Sequence, residues 1–263
     1  MKTKCCLSIV GTLGVLLFVQ PAPAQVPSSA DRAAAVADAH AGRWDKAEPV
    51  LTALVNSEPV DVEATVLLAQ RRLQQNNAKE AVGLLDRAAA AAPDRPDLYS
   101  LLGQALGQRI NEVSFIHQAL LAAKMRRAFE QSVKLDPNHL PGLIGLARYY
   151  TNAPAIAGGS VEKARTYAAE IEKRDTFSGA LEFGMIDEHE QKWTEAIANY
   201  QKALSLRPDQ AWLETMLGRT LAHAGRRDEA RSAFETALKI QPDFAAAHEG
   251  LQSLQSRPAD IGG

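Results

Sequence analysis

Pro208 and Pro242 stand 34 residues apart, and four other pairs keep that spacing: Ala196 with Ala230, Tyr200 with Phe234, Ala203 with Ala237, and Gly184 with Gly218. The same interval returns near the N-terminus in Pro59 and Pro93, Ala47 and Ala81, and Leu51 and Leu85. No other feature constrains the chain as much. A unit of roughly 20–50 residues cannot bury its own apolar face, so it must stack on a copy of itself.

The content of one unit tells what is stacked. In residues 211–244 the first half carries Met216, Leu217 and Leu221, and the second half carries Ala230, Phe234, Ala237 and Leu238. Apolar residues three and four apart form one stripe on a helix, so each unit reads as two amphipathic helices. Gly218 and Ala230 are small enough to let the pair approach closely, with Phe234 filling the space beside them. Gly225 falls in the turn between them, where a left-handed residue is needed. Pro242 ends the second helix because it cannot continue one. The acid or amide after each such proline, in Pro93-Asp94, Pro137-Asn138, Pro208-Asp209 and Pro242-Asp243, is expected to cap the following helix.

These residues resemble the tetratricopeptide repeat family. Leu102-Gly103, Phe183-Gly184 and Leu217-Gly218 match the family's large-small step in the first helix. Ala196, Tyr200, Ala203 and Pro208, then Ala230, Phe234, Ala237 and Pro242, match its second-helix pattern. The resemblance implies an all-α fold, an α-solenoid of stacked antiparallel helix pairs. About six units are expected, at residues 28–59, 60–93, 94–137, 138–176, 177–210 and 211–244, with a capping helix at 245–255 and a disordered tail at 256–263.

Two units break the spacing. From Pro93 to Pro137 is 44 residues, and the surplus falls around residues 107–127. Ile116, Leu120, Ala123 and Phe129 suit a helix, so a second helix lengthened at its start is expected, projecting beyond its neighbours. The alternative is a longer loop and an ordinary helix that begins only after Leu120. In the fourth unit, Pro154 and Gly158-Gly159 mark a long, defined turn, with Ser160 as cap of the next helix. This proline and double-glycine step resembles one in some bacterial tetratricopeptide proteins, among them periplasmic partners of substrate-binding transport systems. No lysine-serine or lysine-threonine pair follows it, so a nucleotide-binding loop is not expected.

The N-terminus reads as a signal peptide over residues 1–24. Lys2 and Lys4 precede an apolar run from Cys5 to Val19, and Ala22-Pro23-Ala24 is a small-x-small cleavage site. The run is shorter than the ~20 residues a membrane span requires, so no stable membrane anchor is expected in the mature form. An exported protein, in the periplasm first and secreted second, follows from this reading. The net charge is −2, and loss of Lys2 and Lys4 from an acid-free leader leaves −4. Such a balance argues against nucleic acid, which needs a basic patch.

Little in the chain points to chemistry. Cys5 and Cys6 both lie in the leader, so the mature chain has no thiol, and no Gly-x-Ser-x-Gly step occurs. His189 and His223 are 34 apart and occupy equivalent places, but a metal shared between neighbouring repeats would be strained. The chain therefore reads as a non-catalytic protein without metal or cofactor. By the resemblance, positions five and nine of the first helices face the concave groove. Position nine gives Gln70, Gln104, Arg148, Met185 and Arg219; position five gives Val66, Ser100, Ile144, Leu181 and Thr215. Arg148 and Arg219 have the fork geometry to hold carboxylates. The partner expected in the groove is a protein or peptide, and an array with open ends also leaves a homo-oligomer available. The alternative is a small-ligand carrier or transport accessory with an enclosed apolar pocket, under the lengthened third unit.

Overall fold

The computed structural model describes residues 27–110 and 112–256, so residues 1–24, expected to form a signal peptide, and the expected tail after Ser256 lie outside the described residues. Within them the chain is all-α. Six helix hairpins follow in order: α1 (Ser29–His40) with α2 (Trp44–Val55), α3 (Val62–Gln74) with α4 (Ala78–Ala91), and α5 (Pro96–Ile110) with α6 (Phe115–Leu135). Then come α7 (Leu140–Asn152) with α8 (Val161–Glu172), α9 (Thr176–His189) with α10 (Trp193–Leu206), and α11 (Ala211–His223) with α12 (Arg227–Ile240). A single helix, α13 (Ala245–Ser256), closes the stack. No described helix is long and apolar enough to cross a membrane.

Each helix packs on its hairpin mate and on the next hairpin. First helices also touch one another, as in α5 on α7 and α7 on α9. Second helices are splayed apart, so the first helices line the inside of the curve. The joint between hairpins is built from an aromatic ring set between glycines. A Cβ on Gly103 would lie 2.5 Å from the Phe129 ring, and one on Gly145 2.2 Å. Phe234 sits in the same way between Gly218 and Gly250, and Tyr200 lies against Gly184. Two large apolar clusters result, one from Ala35 to Ala128 and one from Phe177 to Leu254. A smaller cluster containing Phe129, Leu146, Tyr150 and Ile186 joins them.

The turns follow local chemistry. Gly225 has φ +77°, the left-handed turn residue expected between the helices of the sixth hairpin. Ser28 and Asp31 form a reciprocal capping box at the start of α1. The residues after the unit-closing prolines behave otherwise than expected. The N-cap positions of α7 and α11 fall one residue later, on His139 and Gln210, and neither side chain makes a capping bond. Asn138 donates its backbone N–H to Asp136 Oδ1 at 2.8 Å, and Asp209 takes a left-handed φ of +61°. These residues shape the turn, a role short polar side chains fill well, and the helix begins after it.

The surplus residues of the third unit lengthen its second helix. α6 starts at Phe115 and runs 21 residues, against 12 to 14 for the other second helices.

Candidate functional site

The position-nine row divides in two. Gln70, Gln104, Arg148 and Arg219 are exposed on the inner face, and Met185 is half-buried. Position five does not line the groove throughout. Ser100, Leu181 and Thr215 are buried between hairpins. Thr215 Oγ1 donates to the Ala211 carbonyl at 2.8 Å, and Ser100 Oγ to the Asp97 carbonyl at 2.9 Å. Only Val66 and Ile144 in that set keep partial exposure. Positions five and nine lie four residues apart and so about 40° apart around the helix axis, which turns position five from the groove toward the seam with the neighbouring hairpin.

The two irregular units meet in space. The loop between α7 and α8 forms a single 3-10 turn, Ala155–Ala157, that packs against α6. Together with α5 and α7 they enclose a half-open cavity of about 840 Å³. Its floor is apolar and small: Gly103, Gly107, Ile144 and Gly145, with Met125 and Phe129 behind. Among the described residues, its rim carries the amides of Gln104, Gln118 and Asn152 and one charged group, Arg148. Ile156 stands fully exposed at the mouth, and Leu120 on the lengthened part of α6 is also exposed. Of the groove and loop residues singled out from the sequence, Gln104, Ile144, Arg148 and Pro154 line this cavity. Gln70, Met185 and Arg219 lie along other stretches of the row.

The double glycine has a shape-fitting role. Gly158 has φ +89°, and a Cβ on Gly159 would lie 1.7 Å from the Ala153 carbonyl oxygen. The turn is tied down on both sides. Tyr149 donates its hydroxyl to the Ala157 carbonyl, and the Ser160 N–H donates to the Tyr150 carbonyl at 2.9 Å. Ser160 Oγ then accepts from the Lys163 N–H at 3.3 Å, capping α8. Tyr149 and Tyr150 are both buried; Tyr150 stacks on Tyr167 at 5.7 Å.

Arg148 is not a free cation. Its Nε donates to Glu182 Oε1 at 2.9 Å, and its Nη2 lies 2.7 Å from the same oxygen. Glu182, on α9, is 2% exposed. Burial pushes its carboxyl pKa above the ordinary value, and the Arg148 guanidinium opposes that rise. Sequence reasoning missed Glu182, which is 34 residues from Arg148 but in a different place on its helix. His223 stacks on Trp193 with ring centroids 5.1 Å apart. Among the described residues, no three His, Cys, Asp or Glu side chains converge as a metal site would require.

Stacked helix hairpins around an open inner groove define a helical-repeat protein of the interaction type. The tetratricopeptide repeat family model matches residues 38–105 and 189–254, just over half of the chain. The chain belongs to the tetratricopeptide repeat family. Proteins of this family generally mediate protein–protein or peptide binding, and the fold is typically a non-catalytic one.

Among curated proteins, the chain is 31% identical over 113 residues to the TPR repeat-containing thioredoxin TTL4 of Arabidopsis thaliana, covering 43% of this chain and 16% of that protein. It is 25% identical over 211 residues to the peroxisomal targeting signal receptor of Eremothecium gossypii, covering 68% of this chain and 35% of the receptor. The chain thus spans about a third or less of the length of these relatives. Among solved structures, it resembles a thermophilic TPR protein of Thermus thermophilus with a TM-score of 0.62 at 18% identity, covering 74% of this chain and 99% of that one. It also resembles the APC/C hetero-tetramer Cut9–Hcn1 with a TM-score of 0.63 at 15% identity, covering 85% of this chain and 42% of that one. At these identities the likeness concerns the fold.

Proposed function

We propose that this protein is a non-catalytic scaffold of the bacterial cell envelope that holds a protein or peptide partner in the groove lined by its first helices. The observation that carries the reading is the position-nine row. Gln70, Gln104, Arg148 and Arg219 stand exposed along one inner face, where amides and guanidinium groups can meet a partner's backbone and carboxylates. The location rests on Lys2, Lys4, the apolar run and the Ala22-Pro23-Ala24 step.

A cross-linking pull-down from periplasmic extract tests both parts. The expected result is a bait that begins at Gln25 and captures a partner. Capture should fall about tenfold or more when Gln70, Gln104 and Arg219 are together replaced by alanine. It should persist when exposed Glu235 on the outer helix α12 is replaced instead. Equal capture by both variants, or an intact Met1 on the exported bait, would count against the reading.

A second reading is favoured by one observation, the cavity between α5, α6, α7 and the 3-10 turn. Its volume falls in the roughly 300–1,000 Å³ that small-molecule sites occupy. Its apolar floor and few polar rim groups also have the make-up of such sites. In this reading the protein carries a small ligand in the groove or presents one to a transport system.

A further inference from the structure

The geometry points to a free aliphatic monocarboxylate as the occupant of the cavity, with its apolar chain on the glycine-lined floor and its carboxylate on the unused end of the Arg148 guanidinium. The inference rests on the second reading above, that the cavity holds a small ligand.

Two features choose this class. The first is the lining. Gly103, Gly107 and Gly145 let Phe129 and Met125 pack close against α5 and α7, and these two side chains with Ile144 supply the apolar surface of the cavity. Exposed Ile156 stands at the mouth. A flexible alkyl chain would bury this surface without a matching polar partner for each wall. Burial of apolar area drives such binding.

The second feature is Arg148 compared with Arg165. Both face a nearly buried carboxylate across a hairpin joint: Glu182 at 2% side-chain exposure and Asp187 at 4%. Arg165 holds a second carboxylate as well, with Nη2 at 2.6 Å from Glu190 Oε2. Arg32 likewise reaches Asp61 and Glu63, and Arg72 reaches Glu48 and Glu80. Arg148 holds one. Its contacts with Glu182 use the Nε–H and one Nη2–H, both on one oxygen. A guanidinium has five N–H groups, so Nη1 and the second Nη2–H remain without a partner among the described residues. Their geometry is the fork that receives a carboxylate bidentately. Glu182 fixes the plane of the group beforehand, so little side-chain freedom is lost on binding. Among the described residues, Arg148 is also the one charged residue lining the cavity, which makes a single negative charge the complement.

The test is competition at neutral pH between decanoate and decan-1-ol for the purified full chain, read by displacement of the neutral fluorescent probe N-phenyl-1-naphthylamine. Decanoate is expected to displace the probe with about tenfold higher affinity than the alcohol, the worth of a charge-assisted bond. In Arg148→Met the ratio should fall to about one. Ala119→Trp, on the exposed wall of the cavity, should weaken the probe and both competitors together. If Arg148→Met does not fold, Arg148→Lys, which keeps a cation for Glu182 but loses the fork, is expected to lower the ratio. Equal displacement by acid and alcohol from the native chain would overturn the carboxylate assignment and leave the ligand-carrying reading in place. Probe that does not bind, or binds Ala119→Trp unchanged, would overturn both.

Discussion

Phe129→Ala is expected to lower stability by about 4 kcal/mol and to divide a single urea unfolding curve into two. The ring is 4% exposed and occupies the space that Gly103 and Gly145 leave open on either side. Gly103 belongs to α5 and Gly145 to α7, so one side chain binds the third hairpin to the fourth. Its loss removes dispersion contacts on both faces and leaves a void that glycine backbones cannot fill. The position matters as much as the size. In a stacked array each repeat contacts only its neighbours, and cooperativity depends on each joint in turn. Phe129 stands in the small cluster between the two large ones. Weakening that joint should let the two ends unfold separately. Hydrogen exchange read over α1–α5 and over α8–α13 checks this: the two segments should acquire different opening free energies. One shared transition with an unchanged slope would refute it.

Arg148→Met is expected to cost about 3 kcal/mol at neutral pH and almost nothing near pH 4. The change strands a buried carboxylate. Burial already raises the folded-state pKa of Glu182, and Arg148 is the opposing influence. A carboxyl whose folded pKa lies above its unfolded value, roughly 4.3, gives full stability below that unfolded value. Stability is lost as pH rises through the folded pKa. Without the guanidinium the folded pKa rises further, so the variant loses more over the same climb. The magnitude sits at the low end for a broken buried pair because Arg148 is itself 47% exposed. Urea melts at pH 4, 6 and 8 measure the difference between variant and native chain. A deficit that stays constant with pH would mean the Glu182 carboxylate is not what the arginine supports.

Much of the architecture is legible in the sequence because its determinants repeat within one unit. Gly184 with Tyr200 and Gly218 with Phe234 are contacts between the two helices of a single hairpin, so they reappear at one spacing. The lengthened α6 is legible for the same reason, as a surplus against a fixed period. Helix starts are less so. Asp209 and Asn138 look like caps, but the turn absorbs them and the helix begins a residue later. The candidate site is legible only in part. Gln104 and Arg148 hold equivalent positions on successive first helices, but Glu182 lies outside that row, and a single glutamate on a helix reads as a solvated charge. A pocket under the third unit belongs to the alternative reading of the sequence, a small-ligand carrier. That its far wall is the turn at Ala155–Ala157 follows from packing between units, which no period within a unit records.

The meeting of those two irregular segments has a consequence for anything extended that lies along the inner surface. A track of near-equal steps offers a long ligand many offsets of similar energy, and each offset dilutes the others. Here one step differs in wall height and in mouth. A single landmark of that kind lifts the degeneracy: it fixes where along the track a bound chain starts and which way it runs, though every other step is free to stay generic.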